Sequence, residues 1–274
     1  MLRSLYSGVS GMRGFQTKLD VIGNNIANVN TIGFKGSRVM FKDILSQTVS
    51  GVSAPDENRG GVNAQQVGLG VSLAAIDTVH TPGSAMTTNV PTDLRINGDG
   101  FFAVGTTEQV DAPYLTRAGN FTVDPTRNLV NSEGLHVMGA GGAGPIIIPD
   151  EIVSFSIAQN GEIIGVNTDG ETINTGQVVG VVRITNPAGL EKIGGNLYQV
   201  TGNALGDGEE IEVGIPGDPE TGVGSIISGQ LEMSNVDLTG EFTEMIIAQR
   251  GFQANSRIIT TSDQILQEVV NLKN

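Results

Sequence analysis

The first thirty residues repeat their apolar side chains every seven positions. This spacing places two rows along one face of an α-helix and is typical of a helix that packs against another helix. The rows are Leu5, Met12, Leu19 and Ile26, and Gly8, Phe15, Ile22 and Val29. An ordinary amphipathic helix on a globular core is the alternative, because that is the commoner role of a short apolar stripe.

The C-terminal stretch 237–273 repeats in the same way. Asp237 is suited to cap the start of this helix, and Ile258, Ile265 and Leu272 lie alongside the main row. That row consists of Leu238, Met245, Phe252, Ile259 and Leu266. Most other positions are polar and uncharged, which suits a water-filled lumen as well as plain solvent. Because each terminal helix needs a partner, we predict that the two pair as a coiled coil.

The middle of the chain has a different period. From about residue 71, short runs alternate with period two, and Asn160-Gly161 is a strong hairpin signal. Strands at this spacing predict an antiparallel barrel or sandwich. The predicted fold class is α+β and multidomain, with an all-β domain inserted between the terminal helices. The predicted limits are 1–34 and 235–274 for the coiled-coil domain, 35–74 and 215–234 for the connecting regions, and 75–214 for the β-rich outer domain.

Charge is unevenly distributed along the chain. The 274 residues have a net charge of −14. Residues 1–42 hold six Lys or Arg and one acid, net +5, whereas residues 43–274 hold nine and 28, net −19. An acidic chain is a poor partner for nucleic acid. Charges interrupt the N-terminal segment, and no apolar run is long enough for a membrane helix. We therefore predict no nucleic-acid binding, no membrane insertion and no cleaved signal peptide.

Motifs for catalysis or cofactor binding do not stand out. The chain contains no cysteine, which excludes disulfides and thiol nucleophiles. Residues 139–144 match G-x-G-x-x-G, but a strand-like run follows them instead of the helix that a dinucleotide site requires. His80 and His136 have no partner at metal-ligand spacing. We predict no enzyme activity, cofactor or metal; the rival interpretation is a secreted β-domain enzyme with coiled-coil ends.

Several long motifs resemble those of the bacterial flagellar rod and hook proteins. The N-terminal one is LDVIGNNIANVNTIGFK (19–35), and the C-terminal one is AQRGFQANSRIITTSDQILQEVVNLK (248–273). Internal blocks are DLRINGDGFFAV (93–104), YLTRAGNFTVDPTRNLVNSEGLHVMG (114–139) and GGNLYQVTG (194–202). The C-terminal motif is more similar to hook than to rod proteins. Two departures are the short chain and Asn128, which replaces a turn glycine but tolerates left-handed φ.

The resemblance implies a structural subunit of the flagellar hook, a curved hollow tube that joins the rod to the filament and transmits torque. A distal-rod subunit is the alternative within the family. The terminal helices would form an inner coiled-coil layer, with the β domain outside. Implied partners are further copies of the chain, the distal rod protein, the hook cap protein, the hook–filament junction protein and the flagellar type III export apparatus. The implied location is extracellular, in the hook or basal body.

The resemblance also implies an export-gate motif, a phenylalanine followed four residues later by an apolar residue. Phe41 and Leu45 match it by position. Phe15 and Leu19 have the same spacing but already belong to the N-terminal rows. Local packing of the connecting region is the alternative role for Phe41 and Leu45.

Overall fold

The computed structural model describes residues 2–52, 54–55, 60–106, 112–142, 144–167, 170–206, 211–219 and 221–272. The chain divides into two compact units. The helical unit comprises Met1–Ala27, Ser37–Thr78 and Asp237–Asn274, and the β unit comprises Asn28–Gly36 and Val79–Val236. This division assigns residues 37–78 to the helices and residues 28–36 to the β unit, unlike the predicted limits.

The helical unit contains both helices and a long β arm. Its elements are α1 (Leu2–Ala27), β1 (Ser37–Asp43), β2 (Ser46–Ser50), β3 (Gln65–Gly68), β4 (Val71–Thr78) and α2 (Leu238–Asn271). Strands β1 and β4 form one antiparallel ribbon, and β2 and β3 form a second. We call residues 37–78 the arm. The sequence predicted a connecting region over residues 35–74. Strands β2 and β3 are exposed at every position, so they need no alternation of apolar and polar residues, and their sequences do not reveal them as strands.

The ends of the helices follow local signals. The Asp237 side chain accepts a hydrogen bond from the backbone N–H of Thr239, which confirms the predicted cap. Helix α1 ends at Ala27, so Val29 lies in the turn that follows, and its placement on the helical row was wrong. Neither of the two described helices combines the length and hydropathy needed to cross a membrane.

The β unit contains sixteen short strands in the described residues. They are β5 (Ala85–Thr87), β6 (Leu94–Asn97), β7 (Phe101–Gly105), β8 (Tyr114–Thr116), β9 (Thr122–Val123), β10 (Leu129–Val130), β11 (His136–Val137), β12 (Ile152–Ile157), β13 (Glu162–Asn167), β14 (Thr172–Val178), β15 (Val181–Val182), β16 (Glu191–Gly194), β17 (Leu197–Gln199), β18 (Val213–Gly214), β19 (Ser225–Ser228) and β20 (Gln230–Glu232). Short 3-10 turns occupy Ala140–Gly142 and Pro187–Gly189.

The strands form open antiparallel sheets. The largest has nine strands, in the order β16-β17-β8-β7-β11-β10-β9, with β15 pairing with both β7 and β18. A second sheet is β12-β13-β14, and two-stranded pairs join β19 to β6 and β20 to β5. Because β16 and β9 do not pair with each other, the described strands form no closed barrel, and that part of the prediction was wrong. The hairpin predicted at Asn160-Gly161 is confirmed between β12 and β13.

Strand β7 is the centre of the β unit, because both of its faces are buried. Successive side chains of a strand point to opposite faces. Phe102 and Val104 accordingly pack into one apolar cluster, whereas Phe101 and Ala103 pack into another. The continuous apolar run FFAV is the sequence signature of a strand covered on both sides.

Candidate assembly surface

Helices α1 and α2 contact each other closely within the helical unit. A Cβ atom added to Gly8 would lie 3.3 Å from Ile259 Cγ1, and one added to Gly11 would lie 2.6 Å from Asn255 Nδ2. Further along α1, a Cβ at the facing Gly251 of α2 would lie 2.6 Å from the Phe15 ring. The contacts run antiparallel along the two helices. Glycine weakens a helix by about 1 kcal/mol per residue, and here it permits this close approach.

Polar contacts fix the relative register of the two helices. Asn25 is buried; its side-chain amide donates to Glu241 Oε1 at 3.0 Å and to the backbone oxygen of Ser37 at 2.8 Å. Lys18 pairs with Glu244, with 2.6 Å between Nζ and Oε2. Burial raises the pKa of Glu241, and the hydrogen bond from Asn25 acts in the opposite direction. A buried asparagine at a helix interface specifies register, since sliding would leave its polar atoms unpaired.

The predicted seam residues contribute unequally to this interface. Ile22 is buried and Phe252 is 37% exposed. The other predicted helical positions are half-buried, namely Leu5, Met12, Phe15, Leu19, Ile26, Leu238, Met245, Ile259 and Leu266. Of these, Phe15 and Ile259 lie in the contact between the helices, and most of the side chains keep a solvent-accessible part.

Sequence reasoning missed the second row of α2. Four residues recur at a spacing of seven and are buried or half-buried: Glu241, Ala248, Asn255 and Ser262. Two of them, Glu241 and Asn255, lie against α1. All four are small or polar, so a search for apolar repeats passes over them. A search for small residues at multiples of seven would find Ala248 and Ser262 on α2; on α1 the small residues Gly8 and Gly11 are three positions apart, which also places them on one helix face.

A second apolar stripe along α2 keeps much of its surface exposed. Its members follow one helix face, at spacings of 11, 7 and 7, and end at the C-cap residue: Ile247, Ile258, Ile265 and Leu272, with exposed fractions of 52, 45, 45 and 86%. We call these four residues the outer stripe. Single exposed apolar residues are ordinary on soluble proteins, whereas an aligned set indicates a binding surface.

The two residues of the proposed export motif have different surroundings. Phe41, on β1, lies against α1: its ring centroid is 6.0 Å from that of Phe15, and a Cβ added to Gly14 would lie 2.8 Å from its Cε1. Leu45 is 82% exposed. Local packing therefore accounts for Phe41 and leaves Leu45 without a structural role in the folded subunit.

In the β unit, Glu232 is the centre of a buried charge cluster. Its Oε1 accepts from Lys35 Nζ at 2.5 Å and from the backbone N–H of Gly83 at 2.8 Å, and its Oε2 accepts from Arg117 Nη1 at 3.3 Å. The backbone oxygen of Glu232 accepts from the Gly33 N–H. All three charged side chains are buried, so two cations share one carboxylate.

Residues near this cluster bind the backbone of residues 28–36. We call residues 28–36 the connecting segment, which differs from the connecting regions predicted from the sequence. Lys192 Nζ donates to the backbone oxygen of Lys35, and Asn196 Nδ2 donates to that of Ile32. Burial lowers the pKa of Lys35, and the Glu232 carboxylate acts in the opposite direction. Burial lowers the pKa of Arg117 as well, again opposed by Glu232.

Comparison with known protein families gives matches at both ends and in the middle. Residues 5–35 match the family described as flagella basal body rod protein. Residues 95–165 match the D1 domain of flagellar hook protein FlgE/F/G, and residues 227–272 match the C-terminal region of flagellar basal body rod FlgEFG protein. The last two matched ranges include β7 and helix α2.

Individual relatives are similar over the whole chain. The flagellar basal-body rod protein FlgG of Bacillus subtilis is 55% identical over 273 residues, which cover 100% of both chains. FlgG of Borreliella burgdorferi is 39% identical over 277 residues, covering 100% of this chain and 99% of that one. The flagellar hook protein FlgE of the same species is 30% identical over an alignment of 452 residues that covers 100% of both.

Proposed function

The chain belongs to the flagellar rod and hook protein family, and from this premise we propose that it is a subunit of the distal rod. The observation that carries the proposal is the 55% identity to a basal-body rod protein over 273 residues, with both chains covered completely. Alignment with a hook relative needs 452 positions for the same 274 residues, so that relative has long additional segments. The hook subunit favoured by the C-terminal motif is the alternative.

Self-assembly is supported by the outer stripe of α2. A subunit that remained alone in solution would keep the exposed parts of these four side chains in water, at a cost of about 25 cal/mol for each Å² of apolar surface. A second copy of the chain would cover them if its terminal helices packed beside α2. We infer that α1 and α2 act as one coiled-coil element in the polymer, and that the outer stripe joins neighbouring elements.

The role that follows is mechanical. We propose that the subunit forms part of a straight, hollow tube in the flagellar basal body, with no catalytic step. Its partners would be further copies of itself, the rod and hook proteins at the two ends of its segment, and the flagellar export apparatus. We further propose that it leaves the cell without a cleaved signal peptide.

Genetic complementation tests rod against hook. The chain is expressed in a Bacillus subtilis strain that lacks its own FlgG, and separately in one that lacks its hook protein. We expect swimming motility and complete basal bodies in electron micrographs of the first strain only. Restored hooks in the second strain, with no rescue of the first, would establish the hook alternative.

A second experiment addresses export. We expect Leu45→Ala to reduce secretion of the chain by about tenfold, because it removes most of the apolar side chain that completes the export-gate motif. The folded subunit should be unchanged, since surface substitutions usually alter stability by less than about 0.5 kcal/mol. Secreted and cellular protein are compared by immunoblot. Val52→Ala is the matched control, since Val52 is also on the arm and 75% exposed. Equal secretion of the two variants would remove Leu45 from the motif.

A further inference from the structure

His80 lies beside the part of the β unit that holds the connecting segment. The two residues that flank it both bind that segment. The backbone N–H of Val79 donates to the oxygen of Gly36 at 2.8 Å, and the oxygen of Thr81 accepts from Lys35 Nζ at 2.8 Å. A displacement of His80 therefore acts directly on the hydrogen bonds of residues 35 and 36.

Two aromatic rings pack against the half-buried imidazole of His80. Its centroid is 5.8 Å from that of Phe101 and 5.7 Å from that of Tyr198. Its Nδ1 is buried and has no hydrogen-bond partner among the described residues. A proton carried by Nδ1 would therefore find no acceptor among the described residues, and burial without a partner is costly for a charged group.

Every charge that acts strongly on His80 is positive. The cations Lys35, Lys192 and Arg117 all disfavour its protonated form. Glu232, the buried carboxylate of the described part of the chain, is already shared by Lys35 and Arg117. The phenol of Tyr198 supplies no negative charge, because burial raises its pKa to about 12.

We propose that His80 is an acid-sensitive latch: while neutral it keeps the connecting segment docked in the β unit, and when protonated it releases that segment. Protonated His80 would add a positive charge beside Lys35, Lys192 and Arg117. Glu232 and, near Arg117, Asp99 already offset the charges of Lys35 and Arg117. The least costly response is release of the connecting segment. Its departure carries Lys35 away from His80 and removes the backbone oxygen of Lys35 that holds Lys192 Nζ in place.

The direction of the pH dependence follows from linkage. Burial and the three cations lower the pKa of His80 from 6.5 to about 4 in the docked state. When the segment is released, the imidazole regains water and an ordinary pKa. Protons therefore bind preferentially to the released state, so docking is fully stable above about pH 6.5 and weakens as the pH falls towards 4.

Hydrogen exchange of the purified full-length chain tests the proposal. Protection factors, corrected for the intrinsic effect of pH, are measured by mass spectrometry from about pH 7 to about pH 4. We expect peptides covering residues 28–36 to lose protection on the order of tenfold or more, while peptides from the β12–β13 hairpin stay protected. His80→Phe, which keeps an aromatic ring without a titratable group, should abolish the loss. His136→Gln should behave as the unchanged chain does.

Three results would overturn the latch. The first is unchanged protection of residues 28–36 down to about pH 4, and the second is the same loss in His80→Phe. The third is a parallel loss in the hairpin, which would indicate unfolding of the whole unit. If His80→Phe fails to fold, proton NMR titration of the two histidines of the unchanged chain decides: an ordinary pKa for His80 in the folded chain would overturn the proposal.

Discussion

Ile265→Asp should abolish polymerisation of the purified chain without unfolding it. Ile265 is 45% exposed and belongs to the outer stripe, so a carboxylate there remains in water in the single subunit. In the polymer, the same carboxylate would be buried against a neighbour without a partner, which costs several kcal/mol. Because this cost recurs at every subunit, no tube should form. Sedimentation and negative-stain electron microscopy measure the polymer, and circular dichroism measures the fold.

Two comparison variants make this test specific to one helix face. Gln264→Asp introduces the same charge one residue earlier, on the polar side of α2, and should leave assembly nearly unchanged. Ile259→Asp should act differently from both, because Ile259 lies against Gly8 of α1 and its substitution would disturb the helix pair inside the subunit. If Ile265→Asp forms tubes as readily as Gln264→Asp, the outer stripe is not an assembly surface.

The existence of both helices could be predicted from the heptad repeats, and the start of α2 from its cap. The function of each helix face could not. Hydrophobicity identifies two stripes on α2 but does not distinguish a stripe that contacts α1 from one left for another molecule. The interface with α1 in fact includes Asn255, and Ser262 is buried, whereas Ile258 and Ile265 remain exposed. Close approach of two backbones favours small residues, which an apolar pattern does not reveal.

Within the β unit, local signals were reliable and distant pairings were invisible. The Asn-Gly turn between β12 and β13 needs only neighbouring residues, and its hairpin is present. The pairing of β20 with β5 joins residues more than 140 positions apart. Likewise, the contact between Lys35 and Glu232 could not be predicted from the residues around either one, because 197 positions separate the two in the sequence. Such contacts depend on the complete fold.

Glu232 offers a test of the buried charge cluster, because one carboxylate serves two cations. Removing it leaves Lys35 and Arg117 buried without a counterion, and loss of one partner from a buried ion pair typically costs about 3–5 kcal/mol. It also leaves the Gly83 N–H with a poorer acceptor. Removing Lys35 is less severe, since Arg117 and Glu232 then remain as a balanced pair. Substitution of Glu232 should therefore lower the stability of the β unit more than substitution of Lys35 does.

We accordingly expect Glu232→Gln to lower the melting temperature of the β unit by roughly 10 °C, given about 2–4 °C per kcal/mol for a unit of this size. Lys35→Met should lower it by less than half as much. Glu191→Gln, which removes an exposed carboxylate from the same unit, is the control and should have little effect. Differential scanning calorimetry at neutral pH measures all three. A Lys35→Met variant less stable than Glu232→Gln would contradict the view that the carboxylate balances both cations, and would instead make the lysine contact itself the dominant interaction.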